Sequence, residues 1–401
     1  MEYALSELFT LQMGKTPSRD NSSYWKKSEN NWISIADLTN SGKYISNTKE
    51  TLSDSAVAES GIKKIPANTV IMSFKLSLGK VAITEKEMYS NEAIMAFIDK
   101  GVEKISPEYL YYLLRAKDWS KGTNKAVMGA TLNKATLSTI KIQLHEYDNQ
   151  LEIVNMLNRV SSSIDFRKQQ LTKLDELIKA RFVEMFGTYP DNPFGWNTGK
   201  IQDVVSDVRY GSSRPAVEGG KYPYLRMNNI TYAGELDLTD TKRIDVPDSE
   251  LDKCTVQRGD VLFNRTNSKE LVGKTCVYNR DDMMVLAGFV IRVRVNERIL
   301  PEFLVAFLNT AFSKQMLLGM CKTAIGQANI NAKEMQNIGL YIPPIALQEQ
   351  FVDLKKQTDK SKLFVGSAAA HKPFDIGFFS KKHCATPCKR GIISSKHMIF
   401  H

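Results

Sequence analysis

The 401-residue chain lacks several features that would place it in a large class of proteins. No apolar run approaches the roughly 20 residues of a membrane-spanning helix, and the N-terminal segment has no signal-peptide profile. The five cysteines are odd in number and have no framework spacing, which favours reduced thiols. We therefore expect a cytoplasmic protein with no membrane partner, long enough for two or three domains.

The sequence also lacks the motifs of common catalytic sites. No Walker loop, no Gly-rich cofactor loop after a strand and no catalytic triad can be placed on it. His383, Cys384 and Cys388 form one isolated group without the paired spacing of a zinc site, so no metal site is predicted. Asn192-Pro193-Phe194 lacks the second proline of the tetrapeptide with which amino-methyltransferases hold a base. These absences favour a binding protein with no cofactor of its own over an enzyme.

The net charge gives little support for a nucleic-acid partner. It is +10, but residues 361–401 contribute +6, which leaves +4 for the first 360 residues. A nearly balanced body is poor evidence for DNA binding, so the functional argument depends on motifs. Residues 364–401 are rich in Lys, His, Gly and Ser without helical or strand periodicity. We expect them to form an atypical basic, disordered tail, of the kind that an altered reading frame produces.

What the chain does contain is a duplicated pattern. Ile65 to Ser73 matches Val256 to Asn264, and Gly79-Lys80 matches Gly273-Lys274, with an offset that drifts only from 191 to 198 along the chain. In both copies short β-rich runs are followed by a proline that suits the first turn of a helix. The predicted strands are Trp32–Leu38, Thr69–Phe74, Lys80–Thr84, Ala93–Ile98, Tyr224–Ile230, Asp260–Asn264, Lys274–Tyr278 and Phe289–Val295, and the predicted short helical segments are Ser6–Leu11 and Ile201–Val208. The pattern predicts an α+β fold in which a mixed domain occurs twice, at residues 1–147 and 188–346.

A long helix is predicted between the copies. Residues 148–186 contain no Pro or Gly and are followed by Gly187, so they predict one helix of about 58 Å at 1.5 Å per residue. Its apolar residues recur with the seven-residue period of a coiled-coil spacer. By the repeat, a second spacer helix begins at residues 347–363, where the pattern then stops. The residues predicted to pack against a partner helix are Leu157, Ile164, Leu171, Leu174 and Ile178.

Several motifs resemble the specificity subunits of type I restriction-modification systems. They are Gly259–Ser268 followed by Glu270–Lys274, and Gly326–Asn331 leading to Ile342–Gln350. Gly14-Lys15-Thr16-Pro17 with Tyr24-Trp25 is similar to the opening of that family. The resemblance covers residues 1 to about 360.

The resemblance implies a non-catalytic subunit with two target-recognition domains, each reading one half of a bipartite site in double-stranded DNA. It also implies partners: methyltransferase subunits and endonuclease subunits, which bind S-adenosylmethionine, ATP and Mg. If the central helix separates the half-sites, their separation is at most roughly 17 bp. The family pairs its second long helix antiparallel with the first, and here that second helix is truncated after about Leu363. Two alternatives stay open: an inactive or phase-altered variant with a frameshifted C-terminus, and a self-sufficient DNA methyltransferase.

Candidate DNA contacts cluster at turns that follow strands. Arginine can bridge guanine O6 and N7, asparagine can bridge adenine N6 and N7, and a lysine after a glycine suits a phosphate. The competing interpretation is that Asn and Ser occupy turns for backbone reasons. The candidates are Lys75, Lys80 and Asn133 in the first copy, and Arg226, Asn228, Asn229, Asn264, Arg265, Asn267, Ser268, Lys274, Gln327, Asn329 and Asn331 in the second. Because the first copy has Ser73, Phe74 and Lys75 where the second has this Arg-containing turn, its base preference should differ.

Overall fold

The computed structural model describes residues 1–26, 29–75, 77–119, 124–126, 129–324 and 327–367. Within this range the chain divides into two compact units, unit 1 (residues 1–165) and unit 2 (from residue 166 on). Each is mixed α/β, and one helix, Tyr147–Phe186, passes from the first into the second. This confirms the predicted fold class. The expected tail after residue 367, with His383, Cys384 and Cys388, lies outside the described residues.

Unit 1 is built on a five-stranded sheet whose strands lie in the order Phe9–Met13, Ile94–Asp99, Val70–Ser73, Val81–Thr84, Tyr44–Ile45. The pairs are antiparallel except the last, which is parallel. Val70 and Met72 pack against the helix Pro107–Ala116 on one face, while Ile71 packs into a second cluster on the other. Both faces are covered, so this strand is a continuous apolar run rather than an alternating one.

Unit 2 repeats this framework with a four-stranded antiparallel sheet, in the order Val205–Tyr210, Val290–Val295, Val261–Asn264, Thr275–Val277. The same main-chain hydrogen bonds hold the turn after the central strand in both units. They are Ser73 N to Lys80 O and Asn264 N to Lys274 O, Phe74 N to Ala93 O and Arg265 N to Phe289 O, and Leu132 N to Phe74 O and Ile330 N to Arg265 O. Phe74 and Arg265 therefore occupy equivalent backbone positions.

The smaller elements also recur. In unit 1 they are the strands Glu50–Leu52, Asn30–Ile33 and Tyr89–Ser90 in one sheet, the strand pairs Glu2–Ala4 with Lys141–Gln143 and Asn124–Ala126 with Gly129–Thr131, the helices Leu5–Leu8, Ile35–Asn40, Asp54–Ser60 and Lys134–Thr139, and the 3-10 turn Ser22–Trp25. In unit 2 they are the strands Lys242–Ile244, Tyr222–Leu225, Met284–Leu286 and Thr255–Val256 in one sheet, Thr266–Asn267, Gln327–Asn329 and Lys322–Ala324 in another, the pair Asn197–Lys200 with Gly339–Ile342, the helices Asp248–Cys254, Pro301–Leu308, Ala311–Met320 and Ala332–Gln336, and the 3-10 turns Ile201–Val204 and Met227–Asn229.

Four of the predicted strands and short helical segments end at least three residues before their predicted ends, whereas the bounds of the other strands differ by one residue. The helical segment predicted at Ser6–Leu11 gives way at Phe9 to a strand, and that at Ile201–Val208 does so at Val205. The strand predicted at Trp32–Leu38 ends at Ile33, because Ser34 caps a helix by accepting from Asp37 N. The strand predicted at Tyr224–Ile230 ends at Leu225. Short apolar runs that contain a polar residue fit both the helical and the strand periodicity. In Trp32–Leu38 that polar residue, Ser34, is a helix cap.

The two long helices pack against each other through aromatic rings in unit 2. Phe351 of the second long helix, Ile345–Ser367, lies 5.3 Å from Phe182 and 5.7 Å from Phe186, measured between ring centroids. Further along that helix, Lys362 pairs with Asp175, which lies earlier on the central helix. The two helices are therefore antiparallel, and the second runs four residues beyond the predicted end at Leu363 within the described range.

A glutamine fixes the start of each long helix to its own unit. Gln150, which is buried, accepts from Ser106 N at 3.0 Å and donates to Lys104 O at 3.1 Å. Gln348 does the same in unit 2, accepting from Leu300 N at 2.8 Å and donating to Arg298 O at 3.2 Å. Because these bonds join each long helix to the residues just before a short helix of the same unit, they set its rotation about its own axis.

Candidate nucleic-acid interface

The lysine of each Gly-Lys turn ties two parts of its own unit together. Lys80 Nζ donates to Thr39 Oγ1 at 2.8 Å, and Lys274 Nζ donates to Met227 O at 2.9 Å. Lys274 is only 7% exposed, and burial lowers the pKa of its amine. The fold already uses this amine in a structural hydrogen bond, and its phosphate contact stays a prediction. Lys80 is half-buried, and its bond to Thr39 likewise joins two parts of unit 1.

The glycine before each of these lysines is required by the backbone. Gly79 and Gly273 both have φ of +79°, a left-handed conformation that favours glycine. A Cβ at Gly79 would lie 2.6 Å from Trp119 Cδ1, and one at Gly273 would lie 2.7 Å from Leu317 Cδ1. The glycines of the matched Gly-Lys pairs therefore serve the framework.

Four of the predicted asparagines also serve the backbone. Asn133 and Asn331 are N-caps, which accept from Thr136 N at 2.7 Å and from Glu334 N at 2.9 Å. Asn229 is buried and donates to Asp237 O at 2.8 Å. Asn264 is fully buried and donates to Thr266 O at 3.1 Å and to Phe289 O at 3.2 Å. These side chains already make hydrogen bonds inside the fold, and their base contacts stay predictions.

The remaining candidates differ in their exposure and in the contacts that they make inside the fold. Arg226 pairs with Asp240 at 2.9 Å, whereas Asn228 and Ser268 are exposed. Asn267 is half-buried and donates to Asn264 Oδ1 at 2.9 Å. Lys75 is half-buried, with its amine 5.3 Å from the ring centre of Phe74. Gln327 belongs to the strand Gln327–Asn329, and its side chain lies outside the described part of the chain.

Arg265 and Asn329 are brought together with a residue that the sequence did not single out. Arg265 Nη2 donates to Asn329 Oδ1 at 3.3 Å, and Nη1 donates to Gly288 O at 3.5 Å. The guanidinium carbon lies 4.8 Å from the ring centre of Tyr210, which is 44% exposed. No motif surrounds Tyr210; the signal that would have found it is its place at the end of the edge strand Val205–Tyr210, which pairs with Val290–Val295. Together these groups form a half-exposed cationic cluster at the edge of unit 2.

Among the side chains that the structure describes, the equivalent place in unit 1 holds no cation at the position of Arg265. Phe74 takes the position of Arg265 and is buried. Met13 takes the position of Tyr210, because Met13 pairs with Met95 as Tyr210 pairs with Ile291 at the same register of the two sheets. The same framework therefore presents apolar groups in one unit and a cation in the other.

The central helix buries different residues from those its heptad pattern singled out. Leu157, Leu171, Leu174 and Ile178 are half-buried, and Ile164 is 37% exposed. The residues in the core are Phe182 and Phe186, together with Val154 at the start. Phe182 and Phe186 are four residues apart, a spacing that places both on one face and could have been recognised in the sequence.

Among the described residues, no single helix is long and apolar enough to cross a membrane. The pair Pro301–Leu308 and Ala311–Met320, bent by 70°, reaches the required length and composition together. Its residues Phe303, Leu304 and Leu317 are buried in the core of unit 2.

Comparison with known proteins places both units in one sequence family. The family model described as "Type I restriction modification DNA specificity domain" matches residues 1–176 and 193–363. The chain is 24% identical over 243 residues to the type I restriction enzyme EcoKI specificity subunit of Escherichia coli (strain K12), covering 56% of this chain and 52% of that protein. It is 27% identical over 240 residues to the type I restriction enzyme MjaIX specificity subunit of Methanocaldococcus jannaschii, covering 54% and 55%. The chain thus spans about half the length of the curated relatives it matches.

A solved structure supports the fold independently. It is described as "Structural basis underlying complex assembly and conformational transition of the type I R-M system", and its chain matches with a TM-score of 0.58 at 18% identity. The match covers 92% of this chain and 93% of that one. At this identity the likeness shows the fold alone.

Proposed function

Because the chain belongs to the type I restriction modification DNA specificity domain family, we propose that it is the DNA-reading subunit of a type I restriction-modification complex. Each unit binds one half of a bipartite site in double-stranded DNA. The chain itself catalyses nothing; methylation and cleavage belong to methyltransferase and endonuclease subunits, which hold S-adenosylmethionine, ATP and Mg. Its own contribution is differential affinity for sequence, which is set by side chains at base edges.

The observation that carries this proposal is one framework with two different side-chain sets. The turn after the central strand has the same main-chain bonds in both units, yet it carries Phe74 in one and Arg265 in the other. A duplicated domain that served only as a scaffold would have no need of different chemistry at this equivalent backbone position. Two readers of unlike half-sites require that difference.

The long helix supplies a surface for the partner subunits. Met156, Val160 and Ile164 recur every four residues on its first half and are 37–53% exposed. Exposed apolar side chains at this spacing form a stripe that another protein can cover. We assign this stripe to the methyltransferase subunits.

Co-expression with the methyltransferase subunit encoded beside this chain, followed by mapping of methylated bases in the host DNA, tests the proposal. A methylated motif with two specific halves and a fixed gap is expected. A chain that ends at Ser367 serves as the control for the altered tail, and it should yield the same motif. A soluble complex without any motif would favour the inactive variant instead, and methylation by this chain without a partner would favour a self-sufficient methyltransferase.

A further inference from the structure

The guanidinium of Arg265 is positioned by unit 2 but poorly satisfied by it. The Tyr210 ring lies beside it at 4.8 Å, within the range of a cation–π contact. Its two hydrogen bonds, to Asn329 Oδ1 at 3.3 Å and to Gly288 O at 3.5 Å, are longer than the usual N–H to O distance of about 2.9 Å. The ring and the two bonds orient the guanidinium, while its donors keep capacity for a stronger acceptor.

The guanidinium of this cluster presents donors only. Arginine has no acceptor, and Asn329 accepts one of its N–H groups and so fixes its direction. In the major groove guanine offers two adjacent acceptors, O6 and N7, whereas adenine offers one acceptor beside a donor. We propose that Arg265 reads a guanine in the half-site bound by unit 2, with Tyr210 and Asn329 as positioning residues. This inference rests on the proposed function.

Unit 1 cannot read a guanine in this way. Its residues at the two equivalent places are Phe74, which is buried, and Met13, which is exposed, and neither side chain carries a donor. A guanine read in this way therefore lies only in the half-site bound by unit 2. This asymmetry supplies an internal control, because a change at Met13 alters the matching position in the other unit.

The test begins with the target sequence. The full chain in complex with its methyltransferase subunit selects duplexes from a random library, and each guanine in the selected motif is then replaced in turn by 7-deazaguanine or by inosine. 7-Deazaguanine lacks the N7 acceptor, whereas inosine keeps O6 and N7 and loses only the minor-groove amino group. At one guanine of one half-site, 7-deazaguanine should weaken binding roughly 10-fold and inosine should leave it unchanged.

Variants assign that guanine to the cluster. Arg265→Ala should abolish the difference between guanine and 7-deazaguanine at that position and leave the other half-site intact. Tyr210→Ala should reduce the difference, whereas Tyr210→Phe, which keeps the ring and loses the hydroxyl that accepts from Ala332 N, should preserve it. Met13→Ala should have no effect at that position.

Each contrary result has its own meaning. A motif in which no guanine responds to 7-deazaguanine, or an Arg265→Ala variant that still distinguishes guanine from 7-deazaguanine at that position, would overturn the reading of guanine and leave the proposed function standing. Equal loss in Tyr210→Phe and Tyr210→Ala would show that the hydroxyl, not the ring, matters and would overturn the role given to Tyr210. Selection of no motif at all would overturn the proposed function, and this inference with it.

Discussion

Replacing Phe351 with alanine should release the second long helix from unit 2. Phe351 is fully buried, and its ring contacts the rings of Phe182 and Phe186 of the central helix. Truncation of a buried phenylalanine costs about 3–5 kcal/mol, through lost transfer energy and the cavity left behind. The same helix offers a matched control in Phe364, which is 77% exposed, so that Phe364→Ala should change stability by less than about 0.5 kcal/mol.

Native-state hydrogen exchange followed by mass spectrometry resolves this effect by unit. In Phe351→Ala, peptides from the core of unit 2 should exchange roughly 100-fold faster or more, whereas peptides from unit 1 serve as the internal reference. Peptides of the Phe364→Ala variant should exchange as in the unchanged chain. If Phe351→Ala and Phe364→Ala differed by less than about 1 kcal/mol, the aromatic cluster would not hold the helices together, and the reasoning from ring contacts would be refuted.

Three further predictions concern charge and surface. Lys75→Gln should make the negative slope of log affinity for DNA against log salt concentration shallower by about 0.9. Lys274→Gln should leave the slope unchanged, because the amine of Lys274 is buried and bonded to Met227 O. Equal slopes for the two variants would contradict this division. Burial raises the pKa of Asp207, but hydrogen bonds from Arg209 and Arg292 outweigh burial and hold that pKa below its usual value. The ionised Asp207 therefore stabilises the folded state above about pH 4, and this stabilisation is lost as the pH falls through the lowered pKa. Asp207→Asn should therefore cost about 2–3 kcal/mol at pH 7, with the unfolding curves of the two proteins converging in acid; a constant difference would argue against it. Ile164→Asp should keep the thermal unfolding midpoint and lose co-purification with the methyltransferase subunit, whereas retained co-purification would place the docking surface elsewhere.

The elements that local chemistry determines were predictable from the sequence. The central helix, expected at 148–186, spans Tyr147–Phe186, because nothing inside it interrupts a helix and Gly187, with φ of +83°, ends it. The strand expected at Asp260–Asn264 spans Val261–Asn264, because Val261, Leu262 and Phe263 form the continuous apolar run that is typical of a strand buried on both faces.

The roles of single polar residues were not predictable, because they depend on distant partners. Lys80 and Lys274 reach groups that lie 41 and 47 positions away in the sequence. Asn264 is directly followed by Arg265, yet the first is fully buried and the second is half-exposed. Polar residues in a turn can be either buried or exposed, and only the tertiary fold decides which side chain faces outward.

The main-chain bonds around residues 74 and 265 have a consequence for how this protein evolves. They join backbone groups only, so they form whether the side chain is a phenylalanine or an arginine. On the proposed function, a point mutation at residue 265 can change the recognised DNA sequence without disturbing the turn that carries it, whereas a mutation of Gly79 or Gly273 would meet Trp119 or Leu317. Single substitutions can then change the recognised sequence while the main-chain bonds of the turn are kept.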